Sequence, residues 1–182
     1  MATSQTRTYW RTRTMADAKQ MVPFIKKWEG GYSDHPNDTG GCTMRGVTIG
    51  TYRKYYGRSK TCQDLRKITE EEWLNIFKHG YWDKMKADKI ENQSLAELCV
   101  DMCWGSGPTT AIKKIQRRIG AQVDGVVGPK TLEILNKNPY ENFNLLWAMR
   151  YDWFHDIVKA NPGNKVFLKG WLNRLNDIKF RP

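Results

Sequence analysis

The sequence predicts a mainly α protein of the α+β kind, a helical body with one small, irregular β-lobe. Three observations carry this. Apolar residues recur at helical spacing along most of the 182 residues. One stretch, residues 33–48, breaks that rhythm and is rich in Gly, Asn, Asp and Pro, the composition of turns and short hairpins. The helical segments also carry start and stop signals where their periodicity begins and fails.

Residues 1–15 are polar, basic and threonine-rich, and are expected to form a disordered tail. Residues 16–28 read as a helix, with Met21, Phe24, Ile25 and Trp28 at helical spacing. Pro23 is expected to bend that helix or force a restart. Gly30 follows where a C-cap favours a residue free to take positive φ. After the turn-rich stretch, residues 51–56 form a short helix ending at Gly57. Its Tyr52, Tyr55 and Tyr56 each offer a flat apolar face and a polar tip, suited either to packing or to a sugar groove.

Thr69 opens the next helix, with Glu72 completing a capping box. Trp73, Ile76 and Phe77, continued by Tyr81 and Trp82, make its buried stripe. The acidic first turn, Glu70 to Glu72, suits the helix dipole and reads as a solvated cap. Ser94 with Glu97 reads as a second capping box. The helix behind it carries Leu95, Leu98, Cys99, Met102 and Cys103, apolar enough to be central, and the string W-G-S-G-P at 104–108 breaks it. Residues 109–119 form a helix closed by Gly120, with Lys113, Lys114, Arg117 and Arg118 on one broad face. Such a face is ordinarily solvated surface and is also the best local candidate for touching an anionic polymer. Residues 123–129 turn into a helix with Pro129 near its first position. Helices at 140–159 and 165–179 complete the chain.

A chain of this length suits one domain, or two small lobes sharing a core, and buries roughly 70% of its unfolded surface without needing disulfides. It has no internal repeat, low-complexity tract or long linker, and no apolar run long enough to span a bilayer. The basic N-terminus is not followed by an apolar stretch, so no secretory signal peptide is expected. Synthesis in the cytoplasm is expected, and a substrate outside would require release through a holin or a secretion system. The formal net charge of +11 and pI near 9.6 fit solubility, non-specific nucleic-acid binding or attraction to an anionic polymer such as a cell wall. No zinc-finger, homeodomain or RNP-type string is present, so a specific nucleic-acid partner is not expected. None of the four cysteines, Cys42, Cys62, Cys99 and Cys103, stands in C-x-x-C spacing. Cys99 and Cys103 lie one helical turn apart, poor geometry for a disulfide. With a cytoplasmic origin all four are expected as free thiols. The three histidines, His35, His79 and His155, are scattered, and neither a metal nor a cofactor is expected.

The chemistry concentrates in the string WEGGYSDHPNDTGGCTMRGVT, from Trp28 to Thr48. Glu29 is a lone glutamate at a helix end, followed by Gly30-Gly31. Against Trp28 and Tyr32 its carboxyl group is expected to be partly desolvated, which favours the neutral form. That is what a general acid needs near neutral pH. Asp38, on the glycine-rich loop, is the natural second carboxylate, since glycoside hydrolysis uses such a pair. A Glu before Gly-Gly is by itself common at helix ends. His35 in the same loop fits either a turn role or a substrate contact. Asp101, an acid in an apolar helix, is either a hydrogen-bonded structural group or a further site carboxylate.

The elements E-G-G-Y, D-x-G-G-x-T and G-V-T of this string resemble the catalytic segment of glycoside hydrolase family 108, the phage and bacterial N-acetylmuramidases. The order Glu, Asp, Thr also resembles phage-type lysozymes, although the Asp38 to Thr43 interval is one residue shorter than in those enzymes. The string QRRIGAQVDGVVGPKTLEIL and the later GWLNRL resemble the helical, predicted peptidoglycan-binding region that accompanies the family. The resemblance spans about residues 21–180. It implies a lysozyme-like fold divided into a tail (1–15), a catalytic region (16–93) and a helical peptidoglycan-binding-type region (94–182) packed on it as one body. It implies an endolysin-like muramidase that cuts the β-1,4 bond between N-acetylmuramic acid and N-acetylglucosamine. Glu29, Asp38 and Thr43 would be catalytic, and the residues themselves offer Tyr32, His35, Tyr52 and Asp101 as further substrate contacts. Peptidoglycan would be the partner of a monomer, with electrostatic contact to anionic wall polymers. The rival readings are a non-catalytic wall-binding protein or a secretion accessory factor on the same fold. A dead copy could lose its catalytic residues freely, and Glu29, Asp38 and Thr43 are all retained.

Overall fold

The computed structural model describes residues 15–34 and 41–182. The expected tail through residue 14, and the candidate residues His35 and Asp38, lie outside the described residues.

The first helix, α1 (Ala18–Trp28), starts where the Asp17 carboxylate accepts from the Lys19 amide at 2.9 Å. It runs unbroken through Pro23, with no restart. It buries Met21 and Ile25 and ends at Glu29, whose backbone is extended (φ −89°, ψ 130°). Gly30 does not take the positive φ expected of a C-cap. The turn out of the helix is made at Glu29 itself.

Three two-residue strands follow: β1 (Tyr32–Ser33), β2 (Thr43–Met44) and β3 (Val47–Thr48). They pair antiparallel in the order β1-β2-β3, with Tyr32 opposite Met44 and Thr43 opposite both Ser33 and Thr48. Arg45 and Gly46 form the two-residue connection of the β2–β3 hairpin, and both have positive φ (48° and 76°). This is the pattern of a type I′ turn, whose twist matches that of the strands it joins.

Helices α2 (Ile49–Tyr56), α3 (Cys62–Arg66) and α4 (Glu70–Phe77) complete the first half. The α4 capping box forms as expected: Thr69 Oγ accepts from the Glu72 amide at 3.1 Å, and Glu72 Oε2 from the Thr69 amide at 2.9 Å. Trp73, Ile76 and Phe77 are its buried stripe, and a π-helical turn, Lys78–Trp82, continues it.

One expectation is corrected here. Cys42 and Cys62 form a disulfide that ties the start of β2 to the start of α3. Cys99 and Cys103 are free and buried, as expected, and burial pushes both thiols up, Cys103 to about 12. The bridge closes a loop with a sequence separation of 20 residues. Replacing both Cys42 and Cys62 with serine should therefore lower stability by about 3 kcal/mol. Thermal melts of wild type with and without reductant check this. A reductant-insensitive wild-type melt that matches the variant's would contradict it.

The second half is helical: α5 (Gln93–Ser106), α6 (Pro108–Ile119), α7 (Pro129–Lys137), α8 (Pro139–Ala160) and α9 (Lys165–Asp177). Helix α5 is central, with every side chain from Ser94 to Cys103 buried, and packs on α6 and α8. Its cap is Asn92, whose side-chain oxygen accepts from the Leu95 amide at 2.9 Å, and not Ser94. Ser94 and Glu97 are instead engaged by Arg181, so the expected second capping box is absent. Gly107 (φ 78°) lets α6 start directly after α5. No helix among the described residues is long and apolar enough to cross a membrane.

Candidate active site

Glu29 projects from the end of α1 to a point where three separate parts of the chain meet. Its Oε1 accepts from the Trp104 indole nitrogen at 2.7 Å and from Arg174 Nη1 at 2.6 Å. Trp104 sits near the end of α5, and Arg174 in the last turn of α9. The Glu29 side chain is only 14% exposed, so these charge-assisted bonds are largely shielded from water. Both fall on one oxygen. The other, Oε2, faces Gly46 at the tip of the β2–β3 hairpin.

That hairpin tip is fixed from behind, because the Arg45 carbonyl accepts from the Trp73 indole at 2.9 Å. A Cβ on Gly46 would collide with Glu29 Oε2 and lie 2.8 Å from the Trp104 ring. Gly46 is thus required twice, for its φ of 76° and for the close approach of the acid. Gly46→Ala should cost about 1–2 kcal/mol in backbone strain. By displacing Glu29 it should also lower kcat about a hundredfold while the fold persists. Circular dichroism alongside turnover measures both, and a variant with wild-type turnover would refute this account.

Arg174 joins two acids. Its Nε donates to Asp101 Oδ1 at 2.8 Å while Nη1 holds Glu29. Burial works against its charge, but the Asp101 and Glu29 carboxylates outweigh that and hold the guanidinium above the ordinary arginine value. Nη2 is buried without a hydrogen-bond partner among the described residues. Behind the pair, Arg150 packs on Trp153 and Phe154 and donates to Ser106 Oγ at 2.9 Å. Burial pushes this second guanidinium down to about 10, the Asp101 charge opposing the shift.

Glu29 opens into a cavity of about 330 Å³, bounded by Lys26, Gly30, Gly31, Met44, Arg45 and Glu70. Glu70 is exposed in the first turn of α4, as expected of a solvated cap, and also pairs with Lys26 and Arg45 beside this cavity. Thr43 lies in β2, one residue before the cavity-lining Met44. Two expected contacts are corrected. Tyr52 is buried, 2% exposed, and its hydroxyl donates to Glu72 at 3.0 Å, so its face is packing surface. Asp101 is equally buried and is spent on Arg174, which makes it a support for the site. Tyr32, half-buried next to the cavity-lining Gly31, donates its hydroxyl to Asp34 at 2.9 Å and lies under Arg66. Trp28, expected beside the acid, donates to Asp177 instead at 2.8 Å. The aromatic partner of Glu29 is Trp104. Among the described residues, no group of three or more His, Cys, Asp or Glu is placed to hold a metal ion.

Sequence reasoning missed Arg174, Trp104 and Gly46. Gly46 left a local signal as the second residue of a two-residue turn between β-prone pairs, and Arg174 stands inside the string GWLNRL.

The fold is thus a helical body with a small sheet, and a shielded acid lies beside a cavity at the sheet's hairpin tip. Comparison with known proteins supplies the class. The family model described as Glycosyl hydrolase 108 matches residues 22–107, and that described as Predicted Peptidoglycan domain matches residues 110–176. A solved structure titled "Structure of Brucella abortus SagA" is 30% identical, covers 88% of this chain and 90% of its own, and superposes with a TM-score of 0.76. Among curated proteins none matches. The chain belongs to glycosyl hydrolase family 108, and it is a glycosidase acting on peptidoglycan.

Proposed function

We propose that the chain is an N-acetylmuramidase, cutting the β-1,4 bond from N-acetylmuramic acid to N-acetylglucosamine, with Glu29 as its general acid. The observation that carries this is the asymmetry of the Glu29 carboxylate. Oε1 is occupied by Trp104 and Arg174, so the transferable proton belongs on Oε2, the oxygen without those bonds. Once the proton passes to the leaving glycosidic oxygen, the carboxylate left behind is stabilised by the same indole and guanidinium. Trp104 and Arg174 fix the acid's orientation and do not touch the sugar.

Asp38 is assigned the opposite side of the scissile bond, where it positions water or stabilises the oxocarbenium-like transition state. Thr43 is assigned to hold that water. No cofactor enters the reaction. The disulfide supports action in an oxidising setting outside the cytoplasm, reached through a holin or a secretion system. Lys113, Lys114, Arg117 and Arg118 on α6 supply the electrostatic contact to anionic wall polymers. Mass spectrometry of a peptidoglycan digest tests the bond assignment. New reducing ends should all be N-acetylmuramic acid, and reducing N-acetylglucosamine would overturn it.

A further inference from the structure

A second and larger hollow, of about 670 Å³, lies away from the Glu29 cavity. Its walls come from α2, the π-helical turn, the segment after that turn, the start of α6 and the loop before α7. It therefore straddles the two family matches, with Thr51 to Lys86 on one side and Gly125 to Val127 on the other.

Three lysines line it: Lys54, Lys84 and Lys86. None of the three has an ion-pair partner among the described residues. The one acid in the lining, Asp83, is already engaged by Lys78 and by His79, whose Nδ1 lies 2.7 Å from it. The hollow is thus left with uncompensated positive charge. Lys86 also has a left-handed backbone (φ 48°), a conformation that costs energy for a residue with a side chain and tends to persist at binding sites. The π-helical turn supplies Gly80 and Tyr81, and such turns recur at functional positions. Tyr81 connects this hollow to the acid: its ring lies 4.6 Å from that of Trp104, the indole bonded to Glu29. Tyr55, beside it, adds a second amphipathic ring.

We propose that this hollow holds the carboxylate-bearing stem peptide of the peptidoglycan strand being cut, with Lys54, Lys84 and Lys86 pairing its carboxylates. The inference rests on the peptidoglycan hydrolase reading and adds to it a peptide subsite that spans both matched regions. Peptidoglycan suits the site because its glycan is interrupted at regular intervals by short acidic peptides. A neutral glycan would leave the three ammonium groups unpaired.

The test measures binding in the Glu29→Gln background, so that cutting does not consume the ligand. The probes are purified sacculi and the same sacculi with carboxylates converted to neutral amides by carbodiimide coupling, both at low salt. The Lys54→Glu/Lys84→Glu variant should bind native sacculi about tenfold more weakly than its parent, since each exposed charge contact is modest. It should bind amidated sacculi as the parent does. The Lys159→Glu/Lys165→Glu variant carries the same charge change on a distant surface and should leave native binding nearly unchanged. Three results would overturn the proposal: no loss on native sacculi, equal loss on both probes, or equal loss in the distant variant. A Lys54→Gln/Lys84→Gln variant repeats the measurement if the reversed chain melts early. Failure of the wild type to cleave these sacculi would instead reject the peptidoglycan hydrolase reading and leave this binding comparison standing.

Discussion

Replacing Glu29 with glutamine should abolish wall hydrolysis, with turnover falling by about 10²–10⁴-fold or more. The amide keeps the shape and keeps an oxygen for Trp104 and Arg174, so the melting temperature should change little. What it loses is the transferable proton on Oε2. Zymograms on purified peptidoglycan, wild type beside variant, give the readout. Activity above a tenth of wild type would dismiss Glu29 as the acid. Removing a group that only places water should do less harm, so damage should fall in the order Glu29→Gln, Asp38→Asn, Thr43→Ala. A fully active Asp38→Asn variant would mean that the second carboxylate lies elsewhere.

Replacing Arg174 with alanine should produce the largest loss of stability, and it should also damage catalysis. Asp101 has a side chain 4% exposed and would be left buried beside Glu29 without the cation that joins them. Breaking a buried pair from one side costs about 3–5 kcal/mol. For a chain of this size that lowers the melting temperature by roughly 10 °C. Below the melt, kcat should fall with KM nearly unchanged, because Arg174 orients the acid and does not touch the sugar. Arg174→Lys should recover part of the stability but little of the rate, since one ammonium cannot reproduce the fork that holds two carboxylates. A rise in KM at constant kcat would show Arg174 to be a substrate contact.

What the sequence disclosed was whatever a few neighbouring residues decide. The α4 capping box was legible because Thr69 and Glu72 are three positions apart and each meets the other's backbone. The central place of α5 was legible from its apolar run, but its start was not. Asn92 and Ser94 are both good caps, and the choice depends on Arg181, which takes Ser94 from 87 residues away. The Cys42–Cys62 bridge was missed for the same reason: only the folded approach of β2 to α3 brings the two sulfurs together. At the site, the string around Glu29 singled out that residue, yet nothing in that string could name its hydrogen-bond partners. Trp104 lies 75 residues on and Arg174 lies 145 residues on. Tyr52 looked like a sugar platform because amphipathic rings serve packing and binding equally well, and only burial decides between them.

The bond between Glu29 and Arg174 also bears on timing. The ribosome makes the acid early and its guanidinium partner 145 residues later. A nascent chain can therefore carry the whole catalytic string and still lack the group that aims it.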